Sequence, residues 1–286
     1  MLGTIPAITP PNLIYTLGSH GHLHTRLQEA KQFKNVDILF LGSSHAYRGF
    51  DVRVFEKHGL RAFNMGSSSQ TPIQTKLLLD RYITSLNPKL IIYAVSPDIF
   101  CSDGVEGAID VISNDKNDLL SIYMAGKINN PKVYNTWIYG NIRELFNLNA
   151  NFKQAEHLKC GERDFDTYIH GGYVEKSTDN YFNSNEIKHQ QTEMRFKKYQ
   201  LNAFKEMIQD IKNRGIDLIL VRTPVSKSKY HTTDEFDNMM QVYGKYYDFN
   251  KIFNFTDSCF YDASHLRQEA ADSLSETIFF YFCDCK

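Results

Sequence analysis

The chain has 286 residues, enough to bury a substantial core in one large α/β domain or in one domain carrying a long insertion. Its 32 basic and 33 acidic side chains leave a formal charge of −1, so there is no electrostatic case for nucleic acid or an anionic membrane as partner. A content of 42% hydrophobic and 13% aromatic residues excludes a disordered chain.

The first thirty or so residues are mixed. Pro6, Pro10 and Pro11 argue for an extended surface lead-in. His20-Gly21-His22-Leu23-His24 places imidazoles at alternate positions, the spacing of a metal-binding strand face. Its flanks show no strand pattern, Cys or carboxylate, so it reads as a solvated turn before a helix over 25–32.

The informative stretch follows. Val36-Asp37-Ile38-Leu39-Phe40-Leu41 is a short apolar, β-prone run that ends on Gly42-Ser43-Ser44-His45. Glycine permits a tight turn there, and a hydroxyl is delivered just past the carboxyl end of the strand, where ligands collect in open parallel sheets. Asp51 can cap a short helix that His58-Gly59 ends. Arg61 to Met65 is a second strand running into Gly66-Ser67-Ser68-Ser69. Thr71-Pro72 opens a helix with an apolar stripe through Ile73, Leu77, Tyr82, Ile83 and Leu86, stopped by Asn87-Pro88. Leu90 to Val95 is a third strand, apolar throughout, as both covered faces of a parallel sheet require.

Between about Ser96 and Glu193 the strand–helix rhythm breaks into helical patches, such as 117–124 and 136–148, among Asn-, Gly- and Asp-rich stretches. A segment of about 95 residues is too long for an ordinary loop. It reads as an inserted cap (99–191) over the carboxyl edge of the sheet, with a second small domain as the alternative. The rhythm returns with a helix over 192–213, a strand Ile216 to Val221, a helix over 234–247, a fifth strand over 251–257 and a closing helix over 268–281. The expected architecture is a three-layer α/β/α sandwich on a parallel sheet of about five strands, with 34–98 and 192–286 forming its core.

Cys101, Cys160, Cys259, Cys283 and Cys285 are odd in number and lack zinc-type spacing, which favours free thiols over one or two disulfides. No run reaches the ~18 apolar residues of a membrane span. The N-terminus also lacks a charged region followed by an apolar one, so the chain reads as soluble and unexported, although a chain trimmed of an anchor would look the same.

Two segments carry chemistry. A serine hydroxyl needs a base, and the resulting oxyanion needs fixed donors. Asp262-Ala263-Ser264-His265, between the last strand and the last helix, supplies a carboxylate three residues before an imidazole. Asp262 can thus orient His265 while the far ring nitrogen faces Ser44. Gly66 can present a backbone N–H to the oxyanion, as can Ser44, or it can be a plain strand-to-loop glycine. Ser67, Ser68 and Ser69 read as loop or capping groups, His45 as a packing residue, and Asp98 and Asp103 as caps. Arg48 and Arg222, near carboxyl-end loops, are candidates to anchor an anionic substrate group or to form structural ion pairs. Nothing calls for a metal or an organic cofactor. The Gly42–Ser44 turn also lacks the Gly-Lys-Ser/Thr and Gly-x-Gly-x-x-Gly patterns of phosphate binding.

Gly42-Ser43-Ser44, Asn64-Met65-Gly66 and Asp262-Ala263-Ser264-His265 together resemble the blocks of the SGNH (GDSL-like) hydrolase superfamily. The resemblance covers the sheet-forming segments and not the insertion. The Gly-Ser-Ser-His form with a long insertion is similar to the envelope branch of DltD-like and alginate-acetylation-like proteins. It implies a flavodoxin-like sheet and a serine esterase or O-acyltransferase acting on an acylated, above all acetylated, carbohydrate. It also implies a cell-envelope setting and a membrane-associated partner as acyl donor. The departure is the third block: Val95-Ser96-Pro97-Asp98 stands where Gly-x-Asn-Asp is expected. A missing oxyanion donor costs ~3 kcal/mol of transition-state stabilisation. Ser96, or Asn114 from the insertion, could replace it, and its loss also leaves open a non-catalytic carbohydrate-binding or assembly protein on a degenerate scaffold.

Overall fold

In the computed structural model, which describes residues 12–159, 164–183, 195–231 and 234–283, the central strands owe their place to strict alternation of apolar side chains. In β1 (Ile38–Leu41), Ile38 and Phe40 enter one core while Leu39 and Leu41 enter the other. The same split separates Leu90 and Ile92 from Ile91 and Tyr93 in β3 (Leu90–Ala94). β2 (Ala62–Asn64) and two later strands complete a sheet ordered β2-β1-β3 and then Asp217–Arg222 and Lys245–Asp248, all parallel. This is the three-layer α/β/α arrangement with flavodoxin-like strand order. The chain reverses its direction of winding between β1 and β3, and the crevice at that switch point is where such sheets bind ligands.

Helices cover both faces. On one face lie α1 (Leu23–Ala30) and α4 (Pro72–Leu86). Pro72 at the first helical turn and a Thr71–Gln74 capping box start α4, and Asn87 in the left-handed conformation ends it. On the other face α2 (Ser44–Tyr47) and α3 (Val52–Lys57) follow β1. Asp51 caps α3 by accepting the Arg53 N–H at 2.9 Å.

The segment after β3 is richer in structure than its sequence suggests. α5 (Pro97–Cys101), α6 (Val105–Asn114), α7 (Leu119–Ile128) and α8 (Pro131–Leu145) succeed one another, and Phe100, Ala108, Val111, Ile112, Met124 and Val133 join the same core as α4. An antiparallel sheet of β4 (His157–Lys159), β5 (Phe165–Ile169) and β6 (Tyr173–Ser177) follows. Its Gly171 turn caps the edge of β2, accepting the Asn64 N–H at 2.7 Å. α9 (Lys198–Asn213) packs against α4, and β7 (Asp217–Arg222) extends the sheet beside β3.

Three expectations need correction. The helix expected over 234–247 ends early: α10 is Asp234–Tyr243, and Lys245–Asp248 is β8, the edge strand. The fifth strand is therefore not at 251–257, where turns and irregular chain instead bring Phe253 and Phe255 face to face, 4.4 Å apart. The histidine turn is not solvated either, since Gly21 and His22 are buried and α1 begins at Leu23. α11 (Gln268–Phe282) closes the chain against α3. Cys101 and Cys259 are free thiols. Pro6, Pro10, Pro11, Cys160, Cys285 and the start of the helix expected over 192–213 lie outside the described residues.

Candidate active site

The turn after β1 is built around glycine. Gly42 has φ of 139°, which side-chain-bearing residues rarely adopt, and a Cβ there would sit 2.9 Å from the Ala94 carbonyl oxygen on β3. Ser43 then caps α2 in extended conformation, and Ser44 is the first helical residue. A first-turn N–H has no acceptor within its own helix, and the Ser44 amide holds that position.

From the far end of the chain, the segment 259–267 folds into a tight loop. The Arg267 N–H donates to the Cys259 carbonyl at 2.8 Å and the Tyr261 N–H to the His265 carbonyl at 3.1 Å. Asp262 Oδ1 accepts the backbone N–H groups of Ser264 and His265 at 2.7 and 2.9 Å. Its carboxylate also lies 2.8 Å from His265 Nδ1, while His265 Nε2 lies 2.7 Å from Ser44 Oγ, across 221 residues of sequence. Partial burial would raise the Asp262 pKa, but the hydrogen bond and charge of His265 and the two backbone donors outweigh it and hold the group at about 2. An ionised carboxylate only accepts, so the neutral ring carries its proton on Nδ1 and leaves Nε2 to accept from Ser44.

The imidazole is held between rings. Tyr261 stacks at 5.6 Å with an interplanar angle of 11°, and His45 stands at 5.4 Å and 30°. Burial, with His265 and Lys229 nearby, pushes the His45 pKa down to about 3, so this ring is neutral. It serves as a wall.

The other predicted residues fall into place unevenly. Gly66 lies under the nucleophile turn, where a Cβ would come within 2.9 Å of the Ser43 carbonyl and 3.0 Å of the Tyr47 amide. Its N–H donates to Asn64 Oδ1 at 3.1 Å, so it is not presented to the cleft as expected. Asn64 in turn donates to the carbonyls of Ala46 and Phe50, clamping α2 from below. Arg48 does not reach for a ligand: both its Nη atoms bind Asp166 of β5, at 2.9 and 2.8 Å. Arg222 is likewise a structural group, donating to the His231 carbonyl at 3.0 Å and lying near Asp248 and Asp237. Asn114 is engaged with Asp110, Thr16 and Gly18, away from Ser44's turn. Ser67 and Ser68 bond to Gln70 and Tyr47, as loop groups do. Asp103 accepts the Val105 N–H at the start of α6, and Asp98 pairs with Lys229 at 3.3 Å.

Four site neighbours escaped the sequence reading: Asn64, Asp166, Lys229 and Tyr261. Lys229 donates to Ser264 Oγ at 2.7 Å, beside the imidazole. Only Asn64 and Tyr261 left a trace, as immediate neighbours of the Gly66 and Asp262 motifs.

No family model matches the chain, and no curated protein does. Among solved structures the chain is similar to a Bacteroides thetaiotaomicron protein described as a GDSL-like lipase, with 11% identity over 92% of this chain and 97% of that one and a TM-score of 0.43. A Bacteroides fragilis protein described as an acylhydrolase gives 11% identity, coverage of 92% and 96%, and a TM-score of 0.44. A Streptococcus pneumoniae protein described as a platelet activating factor gives 11%, 92% of each chain and 0.47.

Proposed function

We propose that this chain is a serine ester hydrolase or O-acyltransferase, with Ser44 as nucleophile, His265 as general base and then acid, and Asp262 as the group that orients it. The observation that carries this reading is the continuous hydrogen-bonded line from Ser44 Oγ through His265 to Asp262. Ser44 Oγ attacks the ester carbonyl as His265 Nε2 takes its proton. The tetrahedral intermediate collapses, the alcohol leaves with that proton, and an acyl group remains on Ser44. Water or an acceptor hydroxyl then gives its proton to His265 as it attacks the acyl-enzyme. The bond to Ser44 Oγ breaks and His265 returns the proton to that oxygen, so that the choice of acceptor separates hydrolysis from transfer. The backbone N–H of Ser44 serves in this reading as a donor to the oxyanion.

The favoured substrate, an O-acetylated carbohydrate, rests on the resemblance of the sequence motifs. A separation of Ser44 and His265 would support a purely binding role; their 2.7 Å hydrogen bond supports catalysis instead.

The test is labelling by a fluorophosphonate probe. Wild type is expected to react, and Ser44→Ala and His265→Ala are not. Persistent labelling of Ser44→Ala, or none of folded wild type, sinks the reading. Acetate release against acetyl transfer from an acetylated polysaccharide then decides between the two outcomes of the acyl-enzyme.

A further inference from the structure

The loop that carries Asp262 and His265 is gripped by the inserted segment. Just beyond β6, the Phe182 N–H donates to the Phe260 carbonyl at 2.9 Å. Tyr173, the first residue of β6, donates its hydroxyl to Gln268 Oε1 at 2.7 Å, at the far end of the loop.

Tyr261 is where this grip reaches the chemistry, since its ring stacks on the His265 imidazole. Two cations stand over the same ring. The Arg48 guanidinium lies 5.9 Å from its centroid and Lys176 Nζ lies 5.5 Å from it. Both trace to one cross-strand pair of the inserted hairpin. Asp166 of β5 stands opposite Lys176 of β6 in the antiparallel register, and Asp166 holds the Arg48 guanidinium by two hydrogen bonds. That carboxylate is fully buried and the Arg48 side chain is 11% exposed, so solvent ions screen the pair little. A planar guanidinium fixed in this way is a rigid support for an aromatic face.

Arg48 also belongs to the helix of the nucleophile, where its N–H donates to the Ser44 carbonyl at 3.0 Å. The contacts therefore close a circuit from Ser44 Oγ to His265, Tyr261, Arg48 and back to the Ser44 backbone.

Building on the reading of Ser44 as nucleophile and His265 as base, we propose that the inserted β5–β6 hairpin is part of the catalytic apparatus. In it Asp166, Arg48 and Lys176 are positioning residues that act through Tyr261 on the His265 ring. They set the angle at which Nε2 meets Ser44 Oγ, and misplacement by about 1 Å costs about 10²-fold in rate. The loss falls on kcat and not on KM, because the ester is bound before the base acts.

The experiment combines p-nitrophenyl acetate kinetics, fluorophosphonate labelling and thermal melting. Its variants are Ser44→Ala, Tyr261→Leu, Tyr261→Phe, the double variant Arg48→Leu/Asp166→Leu, and a triple variant adding Tyr261→Leu to that pair. Arg48 and Asp166 are changed together because either change alone leaves a buried charge unpaired. Tyr261→Leu and the double variant are each expected to lower kcat by about 10–10²-fold with KM nearly unchanged. Tyr261→Phe offers the same face to a cation and is expected to stay within about threefold of wild type. The triple variant is expected to be no slower than Tyr261→Leu, because the effects pass through one ring. A folded double variant within about twofold of wild type in kcat overturns the proposal, as does one that raises KM alone. Losses that multiply in the triple variant overturn it too, since Arg48 and Tyr261 then act separately. Should the double variant not fold, Lys176→Met takes its place in the same cycle under the same criteria. With Ser44→Ala inactive, these outcomes leave the nucleophile standing. A folded wild type that neither turns over ester nor reacts with fluorophosphonate overturns both proposals.

Discussion

His265 is constrained at every edge of its ring. Asp262 fixes Nδ1, Tyr261 and His45 fix the plane, and only Nε2 is left to work on Ser44. Asp262 does two jobs, since its Oδ1 also orders the loop by accepting the N–H groups of Ser264 and His265. These jobs can be separated. In Asp262→Asn the amide oxygen can still order the loop, but an amide nitrogen facing His265 favours the ring tautomer with its proton on Nε2, the wrong end for a base. The substitution is expected to lower kcat by about 10⁴ while leaving KM and the melting temperature nearly unchanged. Steady-state kinetics on p-nitrophenyl acetate checks it, and a loss below tenfold would mean that Asp262 only shapes the loop. The carboxyl titrates at about 2 in the fold, so wild-type activity is not expected to be limited by its protonation above about pH 4.

At the level of elements, the turn between β1 and α2 is a close contact of three backbones. Gly42 lies against β3, and Gly66 lies against the Ser43 carbonyl and the Tyr47 amide, with Asn64 bonded to Ala46 and Phe50 beneath them. Gly66→Ala forces the turn to move by several tenths of an ångström. Overpacking of this kind costs about 1–3 kcal/mol. Labelling is expected to slow by more than that loss of stability explains, because Ser44 moves away from His265. Equal labelling rates at matched folded fraction, measured by urea titration, would show that the turn yields elsewhere. The sequence made this turn legible because its strands are apolar runs closed by glycine. Other elements were hidden for definite reasons. β8 reads as the tail of α10, because Tyr246 and Tyr247 continue the stripe of Phe236, Met240 and Tyr243, and only Gly244 marked the break. β5 buries Asp166 and Tyr168 on one face, so a buried carboxylate interrupts the apolar alternation that announces a strand. Its reason is Arg48, 118 residues away. No local pattern could reveal that pairing, nor the hydrogen bond that takes the Gly66 amide out of the cleft.

Across the whole molecule, buried ionisable groups set the response of stability to pH, and they pull in opposite directions. His22 and His45 are held neutral, with pKa values of about 4 and 3, chiefly by burial. Below the ordinary imidazole value of about 6.5 the unfolded chain binds protons that the folded chain refuses, so both histidines destabilise the fold as pH falls. Asp110, on α6, acts in the reverse sense. Burial raises its pKa to about 7 against the weaker lowering influences of Ser19, Arg26 and Asn114, and its Oδ2 has no hydrogen-bond partner. Between about pH 4 and 7 the folded chain holds a proton that the unfolded chain has released, so stability is lost as pH rises through that window. Asp110→Asn keeps an oxygen to accept from Asn114 and removes the buried charge. It is therefore expected to melt higher than wild type at pH 8, with the gain shrinking steadily toward pH 4, where the wild-type carboxyl is itself neutral. Thermal melts of the two proteins across that range make the comparison. A gain independent of pH would trace to packing around α6 and not to ionisation, and a loss at pH 8 would mean that Asp110 remains charged in the fold with Arg26 as its counter-ion.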